Sequence, residues 1–343
     1  MRVLIVHDDV SAEARPDELD VLVQAGAVET ALRALGAEVA RERFTPDLAR
    51  NARAIEAARP DLVFNLVESV LGHGRLIHLA PALYEALRVP FCGASSDAMA
   101  LSSSKLLAKR VLRTAGLPTP PWRTATDEPT RAILPAERWI VKSVWEHGSL
   151  GLEPSSVVAT DDAAVLARVM GERRDALGGE CFAEGYVHGR EFNVALLDGA
   201  DGPVCLPIPE ILFVGVPEGA PRVVGYRAKW SEGSAEWDGT PRRFLEGEPG
   251  LEDELRTIAL GTWRAFGLAG WARVDLRVDA QGRPFVVDVN ANPCLSPDAG
   301  FAAALDRASI PFTEAIERVV ARAIAGGATG SGSRRVPHPQ DRR

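Results

Sequence analysis

Between Gly270 and Leu295 the chain sets Arg273, Asp275, Asp288 and Asn290 in two runs that alternate with period two. Such alternation predicts two strands joined by a tight turn at 279–282. Ala272, Val274, Leu276 and Val278 take one face of the first strand, and Arg273, Asp275 and Arg277 take the other. In the second strand Phe285, Val287 and Val289 are apolar, while Asp288 and Asn290 share the opposite face with Val286. Closure at 279–282 pairs Arg273 with Asp288 and Asp275 with Val286. Both polar faces then lie on one side of a sheet, with facing Cβ atoms roughly 5 Å apart. Two carboxylates about 4 Å apart near a surface repel by around 4 kcal/mol, so a cation is expected between them. Oxygen donors without Cys or His favour Mg2+ or Mn2+, and Mg2+ commonly shares its coordination with phosphates. The same residues also read as a solvated sheet face carrying an Arg–Asp ion pair.

The elements that must position this corner fit a soluble, cytoplasmic α/β chain of 343 residues, long enough for two or three units. A net charge of −8 argues against a nucleic-acid surface, which needs clustered Lys and Arg. Cys92, Cys181, Cys205 and Cys294 are scattered without a CxxC pair, so neither zinc nor a disulfide framework is indicated. The first apolar run is too short for a signal peptide, and no stretch is long and apolar enough to span a membrane.

Strands are expected at 3–7, 38–43 and 61–66, and helices at 19–35, 46–58 and 76–87, with a short strand running into Gly93. This alternation predicts a doubly wound parallel sheet, whose ligands gather at the carboxyl ends of its strands, here near His7–Asp9 and Asn65–Ser69. No GxGxxG follows the first strand and no GxxxxGK[ST] occurs, which argues against dinucleotide and P-loop sites. A helix at 102–115, with Ser102 as its N-cap, carries Lys105 and Lys109. After a linker at 116–122, a strand at 139–142 ends on Lys142, beside a loop containing Gly148-Ser-Leu-Gly151. Such a loop can offer several backbone N–H groups to an anion, or can be an ordinary hairpin loop. A helix at 161–174, strands at 180–184 and 190–197, and a helix at 251–266 lead to the hairpin. Residues 203–247 read as a long, weakly periodic loop of the kind that forms lids, with Arg227-Ala-Lys229-Trp its most chemical part. Terminal helix is expected at 302–325, and 326–343 reads as a disordered tail.

Taken together, Phe64-Asn-Leu-Val-Glu68, Lys105, Lys142 with Gly148-Ser-Leu-Gly151, Glu184-Gly-Tyr-Val187, Arg190-Glu191-Phe, Ala228-Lys229-Trp, Gly270-Trp-Ala-Arg-Val-Asp275 and Asp288-Val-Asn-Ala-Asn-Pro293 resemble the ATP-grasp superfamily. Within it they resemble the D-alanine–D-alanine ligase family, over roughly residues 1–322. The resemblance implies an N-terminal α/β domain (1–95), a central ATP-grasp lobe (96–180) and a C-terminal lobe with the metal site (181–325), followed by the tail. It implies that Lys105, Lys142 and Lys229 touch the phosphates of ATP, that Glu184 and Val187 lie at the adenine, and that Glu191 accepts from the ribose. It further implies two Mg2+ or Mn2+ ions on Asp275, Asp288 and Asn290, with Asp288 where the family usually has Glu. Arg273 and the Cys294 N–H would stabilise the oxyanion.

The implied reaction activates the carboxylate of one amino acid as an acyl phosphate, which the amine of a second attacks. The implied partners are ATP and amino acids, with a homodimer as an admissible assembly. The amino-acid half departs from the family's pattern: its Glu–Ser–Tyr network falls on Asp20, Gly148 and Trp230, with Ser149 one residue along, and its carboxylate-binding Ser falls near Ala299. A ligase for another amino-acid pair, and a nucleotide-binding protein without catalysis, are the competing readings.

Overall fold

The computed structural model describes residues 1–11, 13–125, 136–145, 148–149, 151–199 and 201–329. The first sheet is built from β1 (Arg2–Asp8), β2 (Glu38–Phe44), β3 (Leu62–Leu66) and β4 (Phe91–Cys92), in the order β2-β1-β3-β4 and parallel throughout. Helices α1 (Pro16–Ala34), α2 (Leu48–Ala58) and α3 (Leu79–Leu87) make the crossovers. The β1 run is apolar because both faces are covered: Val3 and Ile5 enter one core with α1, while Leu4 and Val6 enter another with Ile55 and Tyr84. The sheet's carboxyl edge, with Asp8 and Glu68, is thereby left to face a ligand.

Helices α4 (Ser96–Ser103) and α5 (Lys105–Thr114) come next. The single helix expected at 102–115 is thus a pair broken at Ser104, whose hydroxyl, and not that of Ser102, accepts from the Leu107 N–H at 3.3 Å. Lys105 becomes the first residue of α5, and its own N–H is held by the Val144 carbonyl at 3.0 Å. A second sheet combines β5 (Trp122–Thr124), β6 (Arg138–Ser143), β7 (Val157–Ala159) and β8 (Cys181–Gly185) in the antiparallel order β5-β8-β6-β7, backed by α6 (Ala163–Arg173).

The third sheet runs β12-β11-β9-β13-β14, with β10 on β9. Its strands are β9 (Gly189–Leu197), β10 (Val204–Cys205), β11 (Pro209–Ile211), β12 (Arg242–Phe244), β13 (Trp271–Asp279) and β14 (Pro284–Asn290). Between β11 and β12 lie two short helices, α7 (Tyr226–Trp230) and α8 (Ala235–Asp238). The stretch 203–247 is therefore not structureless, but its elements are too short to print a period in the sequence. Helix α9 (Pro249–Phe266) packs under this sheet, followed by α10 (Gly300–Arg307) and α11 (Phe312–Thr329). Ala315, Ile316 and Val319 of α11 join the core of α1 and β1. Because α11 continues through 326–329, the expected tail is shorter than its 326–343; residues 330–343 lie outside the described residues. Among the described residues no helix is long and apolar enough to cross a membrane.

The central hairpin forms, in a different register from the expected one. Asp279 Oδ1 accepts from the N–H groups of Gln281 and Arg283, both at 2.9 Å, so the turn runs one residue further and Val278 pairs with Pro284. A bulge then leaves Val287 without a partner. It sets Asp275 opposite Asp288 and Arg273 opposite Asn290, in place of Arg273–Asp288 and Asp275–Val286. Bulges re-aim side chains: Val286 is fully buried in the core, while Val287 turns to the cleft.

Candidate active site

A cleft opens between the second and third sheets. Its floor is the hairpin. Arg273 donates to both oxygens of Asp275, at 2.7 Å and 2.9 Å, and Asn193 donates to Asp275 Oδ1 at 2.9 Å. Burial opposes the Arg273 charge, yet Asp275 holds its pKa above the ordinary value. Lys105 Nζ stands 3.9 Å from Asp288 Oδ1, and Asn290 Oδ1 accepts from the Asn292 N–H at 3.0 Å. Among the described residues no three His, Cys, Asp or Glu side chains form an all-protein cage. Two carboxylates on paired strands with one amide oxygen instead fit an Mg2+-like ion that takes its other ligands from phosphate and water.

The cations line the same cleft. Lys105, at the capped start of α5, Lys142 on β6, Lys229 on α7 and Arg273 all face it. Lys142 donates to Glu184 Oε2 at 2.5 Å, and Lys109 pairs with the other oxygen of the same carboxylate. Burial alone would raise the Glu184 carboxyl, but the two ammonium groups hold it below the usual range. Burial depresses Lys109 against the pull of Glu184, and burial with the nearby Arg273 depresses Lys229. Val187 and Glu191 border the far end of the cleft, where Arg277 fixes them: it donates to the Val187 carbonyl at 3.2 Å, to Glu191 at 2.6 Å and to the Arg222 carbonyl at 3.1 Å. Ser149 also lines the cleft, in the left-handed region with φ 65°.

A second cavity adjoins the first through Gly148 and Asn290, and the carboxyl edge of the first sheet forms its wall. Trp230 Nε1 donates to the Gly148 carbonyl at 3.3 Å, so those two positions meet as the resemblance implies. Asp20 does not join them. Its carboxylate accepts from Cys294 Sγ at 2.8 Å and from Ser296 Oγ at 2.7 Å, and no link to Ser149 occurs among the described residues. The bond from the lid to α1 is made by other residues, Tyr226 donating to Asp17 at 2.7 Å. Asp20 sits one turn too far along α1 for that role. Asp20 and Cys294 are thus paired with each other beside the cleft, Trp230 lines the second cavity, and Ser149, Arg273 and the residues expected at ATP and the metal line the cleft.

Lys109 and Arg277 were named in the sequence without a role in the site, and Asp17 and Tyr226 were not named at all. A helical period links Lys109 to Lys105, and the period of β13 puts Arg277 on the face of Asp275. Those are the signals that could have found them. Asp17 and Tyr226 meet across 209 positions and carry no local signal.

Comparison with known proteins places the chain in a family. Residues 111–321 match the family model described as the D-ala D-ala ligase C-terminus. The chain is 30% identical over 338 residues to a D-alanine–D-alanine ligase of Gloeobacter violaceus, covering 94% of this chain and 100% of that one. It is 31% identical over 284 residues to an uncharacterised protein of Sinorhizobium fredii, covering 81% of this chain and 77% of the relative. In fold it matches the D-alanine–D-alanine ligase of Bacillus anthracis complexed with ATP, with a TM-score of 0.73 at 18% identity over 96% of this chain and 99% of that one. The chain belongs to the D-alanine–D-alanine ligase family, ATP-dependent ligases of the ATP-grasp fold that form a carbon–nitrogen bond.

Proposed function

We propose that this protein joins two small amino acids using ATP, and that D-alanine is the first substrate to test at both positions. The observation that carries the reading is the convergence of Lys105, Lys142, Lys229 and Arg273 with Asp275, Asp288 and Asn290 around one cleft. Cations and oxygen ligands gathered in this way suit a triphosphate and its metal. Lys105, Lys142 and Lys229 neutralise phosphate oxygens, and Val187 and Glu191 receive the base and ribose. Asp275, Asp288 and Asn290 hold Mg2+ or Mn2+, which supplies charge neutralisation at the transferring phosphoryl group. The γ-phosphoryl group passes to the first carboxylate, releasing ADP. The second amine then attacks the acyl carbon and expels phosphate. Arg273, half-buried beside this point and held charged by Asp275, stabilises the charge that develops on oxygen.

The same reading treats residues 1–95 as the substrate-binding unit. It moves the break between the two ATP-grasp lobes from 180 to the turn after β8, because β8 pairs with β6. The test is ADP release by the purified protein over a panel of D- and L-amino acids with Mg2+. Release that depends on an amino acid supports ligation and names the substrate. ATP binding with no release for any member contradicts it in favour of binding alone.

A further inference from the structure

Arg277 lies only 6% exposed at the far end of the cleft, and the mechanism above gives it no part. The register of β9 and β13 sets it directly opposite Glu191, so the two side chains leave the sheet on one face. A buried charge is costly unless it is paired and hydrogen-bonded, and here each nitrogen of the guanidinium has a partner. Nε donates to the Val187 carbonyl at 3.2 Å, and Nη2 donates to the Tyr186 hydroxyl at 3.4 Å. Nη1 serves two acceptors, Glu191 Oε2 at 2.6 Å and the Arg222 carbonyl at 3.1 Å. The rings of Tyr186 and Phe213 each lie 5.6 Å from the guanidinium carbon, close enough for cation–π attraction.

This grip joins three separate pieces of chain. Val187 follows β8, Glu191 belongs to β9, and Arg222 opens the run of Val223 and Val224 that covers the cleft from the lid. Tyr186 reinforces the third contact, its hydroxyl accepting from the Arg222 N–H at 2.6 Å and donating to the Arg222 carbonyl at 3.1 Å. The guanidinium is thereby fixed from several sides, and it fixes Glu191 in turn. Only Oε2 of that carboxylate is engaged: among the described residues no hydrogen bond reaches Oε1, and Glu191 lines the cleft. An uncompensated carboxylate there would repel a triphosphate. Arg277 cancels its charge and leaves one oxygen as an aimed acceptor.

Resting on the ligase reading, in which Glu191 receives the ribose, we propose that Arg277 is the positioning residue that makes this protein select nucleotides with free sugar hydroxyls. It acts through Glu191 and touches no reacting atom. Lysine at this position would keep the charge but not the planar fork that serves four partners, and methionine would keep only the bulk.

The test is equilibrium binding of ATP and of dideoxy-ATP, whose sugar lacks both hydroxyls, to the full chain with Mg2+. The wild type should bind ATP about 10- to 100-fold more tightly, the range for hydrogen bonds to a charged acceptor. Arg277→Met should bring that ratio within about threefold, with the affinity for dideoxy-ATP itself changed by less than about threefold. Arg277→Lys should fall between the two. Adding Glu191→Gln to Arg277→Met should lower the ratio no further, because residues that act through one contact are not additive. An unchanged ratio in Arg277→Met, with both nucleotides weakened alike, marks a structural role and overturns the proposal. If that variant does not fold, the same criterion applies to Arg277→Lys. A wild type that binds the two nucleotides equally also overturns it, while amino-acid-dependent ADP release would leave the ligase reading intact. A wild type that binds neither nucleotide overturns both.

Discussion

Lys142 and Glu184 face each other across the β6–β8 pair at 2.5 Å, and the second oxygen of the same carboxylate carries Lys109. Glu184 is 1% exposed and Lys109 3%, so one carboxylate compensates two cations at the edge of the cleft. Lys142 is thereby aimed, and its charge is shared between Glu184 and the cleft.

Removing that carboxylate should be costly. Breaking a buried ion pair by deleting one partner typically destabilises by about 3–5 kcal/mol, because the remaining charge stays buried. Glu184→Gln should lose stability of this order in denaturant titrations and should weaken ATP binding. Lys109→Met leaves Lys142 with its partner, and should lower ATP affinity less than Lys142→Met. Equal losses from the two lysine variants would show that Lys142 has no privileged position at the phosphates.

The paired carboxylates of the hairpin predict a different signature. Asp288→Ala should abolish turnover and the Mg2+-dependent part of ATP affinity, with the fold intact because that face lines the cleft. Nucleotide binding titrated with and without Mg2+ makes the measurement. Activity within about tenfold of the parent would contradict the assignment of Asp288 as a metal ligand, since loss of a metal's main carboxylate leaves the phosphoryl charge uncompensated.

Glu68 also predicts a pH dependence of stability. Burial, with Asp8 close by, raises its carboxyl from 4.5 to about 8, against the hydrogen bond from Gln24. The folded state therefore holds a proton that the unfolded chain has released, and stability falls as pH rises from 4.5 through about 8. Glu68→Gln removes this loss, and its amide oxygen still accepts from Gln24. Thermal unfolding should show the variant gaining on the wild type as pH rises across that window. A constant difference between the two would mean that Glu68 ionises normally in the fold.

Much of this site was legible in the sequence because its parts are local. The apolar run of β1, the alternation of β13 and β14, and the strand end at Lys142 each announce themselves within ten residues. The hairpin's register was not legible, because nothing in the sequence marks Val287 as the bulged residue. The N-cap was misplaced by two positions among Ser102, Ser103 and Ser104, any of which can cap a helix. The amino-acid side was the least legible. Tyr226 and Asp17, Gln24 and Leu295, and Asn292 and the Val67 carbonyl meet only through tertiary packing, over separations of 209, 271 and 225 positions. Asp20 was expected in a network with Gly148 and Trp230, and it instead secures the segment that follows β14.

The central claim is that a carboxylate oxygen of an amino acid leaves on phosphate. D-alanine labelled with 18O in its carboxylate, incubated with the protein, ATP and Mg2+, tests it in a single experiment by mass spectrometry of the released phosphate. If an acyl phosphate forms in the cleft between Lys142, Arg273 and the Asp275–Asp288 pair, one labelled oxygen appears in each phosphate released, together with ADP and a dipeptide. Phosphate that carries no label while ADP accumulates would show that the protein hydrolyses ATP without activating the amino acid, and would contradict the account.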